Sequence, residues 1–180
     1  MMGNIFYLSG FMASGKSTIG PIVANTLGWD FIDLDEEIEK REGRKITNIF
    51  SDDGEDYFRQ RESELLREFA VGDKLIIALG GGTLIKPANH DFVKRTGKLI
   101  FLKTSSIKAY NRLKYKKDRP VLLTKGEELD EVTYINRIES LMRERKDFYS
   151  SADYTFNTDD ESVGETVDKI VKIIRNSISE

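Results

Sequence analysis

The chain opens on an unbroken apolar run, Ile5, Phe6, Tyr7 and Leu8, that leads to a glycine turn. A run without polar alternation predicts a strand buried on both faces. From Lys16 the period lengthens to that of a helix: Ile19, Ile22, Val23 and Leu27 share one face, and Gly28 supplies the stop. Pro21 falls inside this helix and predicts a kink near Ser17. Phe31, Ile32 and Asp33 read as a second strand, followed by an acidic helix start at Asp35, Glu36 and Glu37. Helical spacing resumes over 46–50 and 57–70, with a polar break at Ser51, Asp52, Asp53 and Gly54. The apolar run 75–79 is the clearest buried strand, and it enters Gly80, Gly81 and Gly82.

In the second half, 99–102 reads as a strand and 105–115 as a helix. Residues 116–130 are polar, contain Pro120 and Gly126 and lack a period, so they read as a long loop. Inside a compact domain such a loop is usually a functional lid or a disordered segment. A helix is expected over 132–149 and an edge strand over 154–156. Ser162 and Glu165 form a capping box, and Val163, Val167, Ile170, Val171 and Ile174 make the apolar face of a closing helix. Strands alternating with helices predict an α/β domain, its mostly parallel sheet covered on both faces. Neither an internal repeat nor a low-complexity segment is present.

Composition narrows the picture. The 180 residues suit a single domain, and 39% hydrophobic content is enough for a core. A net charge of −3, with both signs mixed, argues against nucleic acid as the partner. The absence of cysteine excludes disulfides, thiolate metal sites and a cysteine nucleophile. No apolar stretch reaches the ~18 residues of a membrane span, and the N-terminus lacks a signal-peptide pattern. A cytoplasmic, monomeric protein is the expectation.

The first glycine turn carries chemistry. Gly10-Phe11-Met12-Ala13-Ser14-Gly15-Lys16-Ser17 fulfils G-x-x-x-x-G-K-[ST] between a strand and a helix, the setting this phosphate loop requires. Backbone amides and the helix dipole converge there on phosphate oxygens. Ala13, Ser14, Gly15, Lys16, Ser17 and Thr18 therefore form the expected ATP-binding segment. Lys16 is placed to bridge the β- and γ-phosphates and Ser17 to ligate Mg²⁺.

The acceptor is less explicit. Asp33 and Asp35 are two apart, and in extended chain they share a face toward the cleft beyond the strand ends. An ordinary helix N-cap explains the first equally well. Arg59 and Glu62 share a helix face, which also allows a plain surface ion pair. Three successive glycines after a buried strand cost chain entropy, and they make sense where a ligand approaches the backbone closely. His90, the single histidine, reads as solvent-facing, and Lys114, Lys116 and Lys117 form a basic run that fits steering of ATP and a solvated face equally well. Trp29 is expected to pack between helix and strand.

Taken in order, the phosphate loop, Asp33-x-Asp35, Gly54-Glu55-x-x-Phe58-Arg59-x-x-Glu62, Gly80-Gly81-Gly82, Arg119-Pro120 and Arg145-x-x-x-Tyr149 resemble the shikimate kinases over about residues 8–153. The resemblance implies a nucleoside-monophosphate-kinase-like fold: three α/β/α layers around a five-stranded parallel sheet of order 2-3-1-4-5. It implies an acceptor-binding region at about 33–69 and a lid at about 115–124 of a single domain spanning 1–180. It also implies transfer of the γ-phosphate of ATP to the 3-hydroxyl of shikimate, a step of chorismate and aromatic amino-acid biosynthesis.

Carried over by residue, Lys16 and Ser17 hold phosphates and Mg²⁺, with Asp33 behind the metal waters. Asp35 binds ring hydroxyls and is the candidate base. Arg59 and Arg145 clamp the carboxylate, with backbone contacts from Gly80, Gly81 and Gly82. Arg119 swings in toward the transferring phosphate, and Arg112, seven residues earlier, packs on adenine. The sequence departs from the family pattern at Ala13, tolerable if its φ is negative, and at Pro21. Two residues rather than three separate Tyr149 from Ala152, which makes Arg143 a rival for the place of Arg145. The alternatives are a related kinase acting on gluconate or a nucleotide, and a nucleotide-binding homologue without catalysis.

Overall fold

The computed structural model describes residues 4–115, 122 and 129–178. The first half runs β1 (Ile5–Gly10), α1 (Lys16–Leu27), β2 (Asp30–Asp33), α2 (Leu34–Glu42), α3 (Ile46–Asp52), α4 (Gly54–Phe69) and β3 (Leu75–Ala78). A short 3₁₀ turn (Thr83–Ile85) leads to α5 (Pro87–Thr96), β4 (Lys98–Lys103) and α6 (Ser106–Leu113). The chain then gives α7 (Glu131–Glu144), α8 (Lys146–Ser150), β5 (Tyr154–Asn157) and α9 (Val163–Ile178).

Among the described residues the strands form one five-stranded sheet of order β2-β3-β1-β4-β5. Every pairing in it is parallel. This is the expected order, and it brings the carboxyl ends of β1, β2 and β3 side by side, where open α/β sheets bind ligands. The central strand β1 is buried along its whole length. Its residues alternate between two cores: Ile5 and Tyr7 pack with Leu34, Ile38, Leu66 and Val93. Phe6 and Leu8 pack with Ile19, Val23, Ile170 and Ile174 on the other face. Alternation of one strand between two apolar layers produces the α/β/α sandwich. Trp29 joins the second core with its ring 5.9 Å from that of Phe6, as expected.

Local chemistry accounts for most boundaries. Gly28 caps α1 at φ 68°, donating to Ala24 and Asn25 carbonyls. In the capping box the Ser162 amide donates to Glu165 at 2.9 Å and the Glu165 amide returns a bond to Ser162 Oγ at 3.3 Å. Helix α1 runs on through Pro21 to Leu27, at the cost of the amide that would serve the Ser17 carbonyl. Gly20 just before it gives the Phe31 ring room, since a Cβ there would lie 3.0 Å from two ring carbons.

Two expected elements differ. The polar break at 51–54 is no loop: α3 and α4 meet at Asp53, and Gly54, at φ 83°, already begins α4. The helix expected over 132–149 is two helices, joined at Arg145 with φ −99° and ψ 1°. Arg145 is buried, and the break turns it and Tyr149 toward the glycine segment. Burial of a charged side chain in this cleft outweighs continuity of one helix. Among the described residues no helix is long and apolar enough to cross a membrane.

Candidate active site

The phosphate loop links β1 to α1. At Gly10 a side chain is sterically impossible, since a Cβ would lie 2.6 Å from the Leu102 carbonyl. Ser14 donates its amide to the Phe11 carbonyl at 3.1 Å, and Gly15, at φ 103°, turns the chain into α1. The Lys16 ammonium donates to the carbonyls of Gly10 at 2.8 Å and Phe11 at 3.3 Å. It therefore lies over the loop that links β1 to α1. Ala13 departs from the expectation of a negative φ. It sits at φ 62°, in the left-handed region, because the loop's curvature there is set by the turn rather than by the residue.

Asp33 combines the two readings the sequence left open. Its Oδ1 accepts the amides of Asp35 at 3.1 Å and Glu36 at 3.5 Å, capping α2. Its Oδ2 accepts the Ser17 hydroxyl at 2.7 Å. A hydroxyl and a carboxylate so paired suit Mg²⁺, which takes few protein oxygens and keeps waters and substrate phosphates. Asp35 is not in extended chain, as expected, but in the first turn of α2. It still reaches the cleft: its Oδ1 lies 2.8 Å from where a Gly80 Cβ would stand.

Each glycine of the triplet faces a different charged side chain, two of them from α4. A Cβ on Gly80 would meet Glu62 Oε1 at 2.6 Å, one on Gly81 would meet Arg145 Nη1 at 3.2 Å, and one on Gly82 would meet Arg59 Nη2 at 2.5 Å. Only glycine lets α2, α4 and the α7–α8 junction bring these groups so close to one backbone segment. Arg59 donates to Glu62 at 3.0 Å and to the exposed Glu55 at 3.1 Å. Arg145 is buried, with Nε lacking a hydrogen-bond partner among the described residues. Tyr149, stacked on Phe101 with centroids 4.4 Å apart, donates its hydroxyl to the Gly81 carbonyl at 3.4 Å.

Glu62 was not singled out from the sequence as a site residue, and it is no surface ion pair. It is fully buried, and its Oε1 also accepts the Thr83 hydroxyl at 2.5 Å. Burial pushes its carboxyl above the usual glutamate range, against the pull of Arg59, Thr83 and Arg145. Its spacing from Arg59 marked a shared face, but spacing carries no information about burial.

The sequence model of the family described as Shikimate kinase matches residues 12–175. The chain belongs to the shikimate kinase family. The shikimate kinase of Chloroherpeton thalassium is 39% identical over 176 residues, which cover 97% of this chain and 94% of that protein. That of Chlorobaculum parvum is 39% identical with the same coverage. The structure of shikimate kinase from Acinetobacter baumannii in complex with shikimate superposes with a TM-score of 0.88 at 31% identity, covering 97% of this chain and 94% of that one. A gluconokinase from Sinorhizobium meliloti covers 97% of this chain and 93% of its own with a TM-score of 0.61, but at 17% identity it shares the fold alone.

The remaining positions read from the shikimate kinase pattern fall as follows. Arg112, on α6, donates to the Ala13 carbonyl at 2.9 Å and the Thr158 carbonyl at 3.0 Å, joining the phosphate loop to the segment after β5. Thr18 is exposed on the first turn of α1. Arg143 is exposed on α7, so the structure brings Arg145, not its rival, to the glycines. Arg119 and most of the expected lid lie outside the described residues. Leu122, within that lid, is buried, and its carbonyl accepts Arg137 at 2.8 Å. His90 differs from its expected solvent-facing place: it is half-buried on α5, with Nε2 hydrogen-bonded to Ser151 Oγ at 2.8 Å. The side chain of α8's end supplies a partner that no local pattern indicates.

Proposed function

We propose that this chain, as a monomeric cytoplasmic enzyme, moves the γ-phosphate of ATP to the 3-hydroxyl of shikimate, releasing ADP and shikimate 3-phosphate. The carrying observation is the convergence of Arg59 and Arg145 on Gly82 and Gly81. Two guanidiniums at one end of the cleft match a carboxylate, because the arginine fork pairs with both its oxygens. Asp35, beside Gly80, then meets the hydroxyl end of the same small ring.

In this reading Asp35 accepts the proton of the 3-hydroxyl as that oxygen bonds to the γ-phosphorus. The bond from phosphorus to the bridging oxygen breaks, and ADP leaves with the electron pair. Lys16 exchanges the Gly10 and Phe11 carbonyls for the β- and γ-phosphate oxygens. Ser17, and Asp33 through water, would hold Mg²⁺, which when bound neutralises charge on those oxygens. Arg112 serves the nucleotide base, and the family pattern assigns Arg119 to the transferring phosphate. The acceptor-binding region is 33–69 and the lid 115–124. Phosphoryl transfer asks the protein mainly for in-line placement and charge neutralisation, and this set of residues provides both.

The test is coupled ADP release with ATP and Mg²⁺, with and without shikimate, in the wild type and in Arg59→Ala. A hydrogen bond to a charged group contributes about 1.5–3 kcal/mol, so the variant should lose one to two decades in kcat/KM. ADP release indifferent to shikimate would exclude it as the acceptor.

A further inference from the structure

Phe11 belongs to the phosphate loop by its backbone and to the acceptor cleft by its ring. Its carbonyl accepts the Lys16 ammonium at 3.3 Å and the Ser14 amide at 3.1 Å. Its ring is buried and lies 5.8 Å from the guanidinium carbon of Arg145. Arg145 is itself only 4% exposed. A guanidinium over an aromatic face is attracted most strongly when both are desolvated. Its Nε lacks a hydrogen-bond partner among the described residues, so the Phe11 face and the Tyr149 side chain, which is hydrogen-bonded to Arg145, share in orienting the guanidinium.

The ring has little freedom. It is packed among Ala109 and Leu113 of α6 and Tyr134 and Ile138 of α7. Close-packed interiors pass small displacements on rather than absorbing them. The backbone end, by contrast, has a partner that nucleotide competes for. A bound triphosphate draws the Lys16 ammonium toward its β- and γ-oxygens, and the Phe11 carbonyl then loses that donor. One residue thus competes with the nucleotide for Lys16 at its carbonyl and touches Arg145 at its ring.

We infer that Phe11 is a positioning residue through which an occupied phosphate loop fixes Arg145 and tightens the acceptor site. The inference rests on the proposed role of Arg145 toward the shikimate carboxylate. Whichever ligand binds first bears the cost of ordering the loop, the ring and the guanidinium, so the second binds more tightly. Linkage makes the effect reciprocal: shikimate strengthens nucleotide binding by the factor by which nucleotide strengthens shikimate binding.

The experiment is calorimetric titration of shikimate into the full chain, alone and with a saturating non-hydrolysable ATP analogue and Mg²⁺. It is run on the wild type and on Phe11→Leu, which keeps an apolar side chain but has no ring face. Phe11→Met replaces it if the leucine variant does not fold. In the wild type the analogue should lower the shikimate Kd by about fivefold or more, the lower end of ordinary coupling between sites. In the variant the two Kd values should agree within about twofold. A purely structural role would weaken both ligands and leave the ratio intact. Equal coupling in wild type and variant, or none in the wild type, overturns the inference while leaving shikimate binding in place. No shikimate binding under any condition overturns the acceptor reading and this inference together.

Discussion

The fully buried carboxylate of Glu62 receives the Arg59 guanidinium at 3.0 Å from one turn earlier on α4. Thr83 donates to its other oxygen at 2.5 Å, so the carboxylate ties α4 to the turn that follows the glycine triplet. A buried carboxylate is costly unless its oxygens are filled, and here the filling groups are those that shape the acceptor cleft. Arg59 is held from behind by this contact, while its Nε and Nη2 donate to the exposed Glu55, the partner that a ligand carboxylate would have to displace.

Glu62→Gln keeps the volume but turns an amide toward a guanidinium that also donates. The KM for shikimate should rise about tenfold, the loss of one charge-assisted hydrogen bond, with the KM for ATP little changed. The pH dependence should change with it. Burial raises the Glu62 carboxyl above the ordinary glutamate value. Between those two values the folded chain keeps a proton that the unfolded chain has released, so stability falls as pH rises through the window. The contribution is complete below the unfolded value. Urea midpoints measured across this range should show the wild-type advantage over Glu62→Gln shrinking as pH increases.

Gly82→Ala places a methyl group 2.5 Å from Arg59 Nη2. The obstructing atom is the end of a flexible side chain, so the fold should survive while Arg59 is displaced. Steady-state kinetics should show a shikimate KM raised by about a decade or more, on the scale of one lost contact to a charged group. Gly80→Ala meets Glu62, Asp35 and Thr83 instead, which are mutually held. It should also cost about 1–3 kcal/mol of stability through overpacking.

Asp33 divides its oxygens between capping α2 and holding Ser17, and two variants separate these roles. Asp33→Asn retains a good cap and loses the charge; its melting temperature should stay near the wild type. The Mg²⁺ needed for half-maximal rate should rise about 10–100-fold, as for other groups behind a metal's ligands. Asp33→Ala should add a stability loss of about 1 kcal/mol for the missing cap. A melting temperature that falls equally in both would show that the cap is not what Asp33 supplies.

Ala13→Gly should stabilise the chain. At φ 62° an alanine is strained by about 1–2 kcal/mol, and glycine is not. The greater freedom of glycine in the unfolded chain returns about 0.4–1 kcal/mol of that. A net gain of up to about 1.5 kcal/mol in thermal unfolding is expected, whereas a β-branched residue there should destabilise.

How far each feature was legible follows from the distance over which it is decided. The strand, glycine turn and helix start that hold Lys16 and Ser17 are legible because they are contiguous in sequence. The capping box and the Gly28 stop depend on partners three or four residues away, and both formed as expected. The break at Arg145 was missed because Val132 to Tyr149 keep helical spacing on both sides of it, and what interrupts them is a cleft lined by Gly80 and Gly81. His90 was misplaced for the same reason, its partner Ser151 being 61 residues away.

By itself the sequence determined the chemical inventory and its local geometry: a phosphate loop, acidic residues after β2, arginines on helices, and glycines where β3 ends. Those follow from periodicity and backbone conformation, which neighbouring residues control. Only the tertiary structure decided which charges are desolvated and which face one another. Burial of Glu62, choice of Arg145 over Arg143, and the meeting of Phe11 with Arg145 all depend on segments far apart in the chain. Dielectric environment is a property of what surrounds a group in space, and sequence spacing does not encode it.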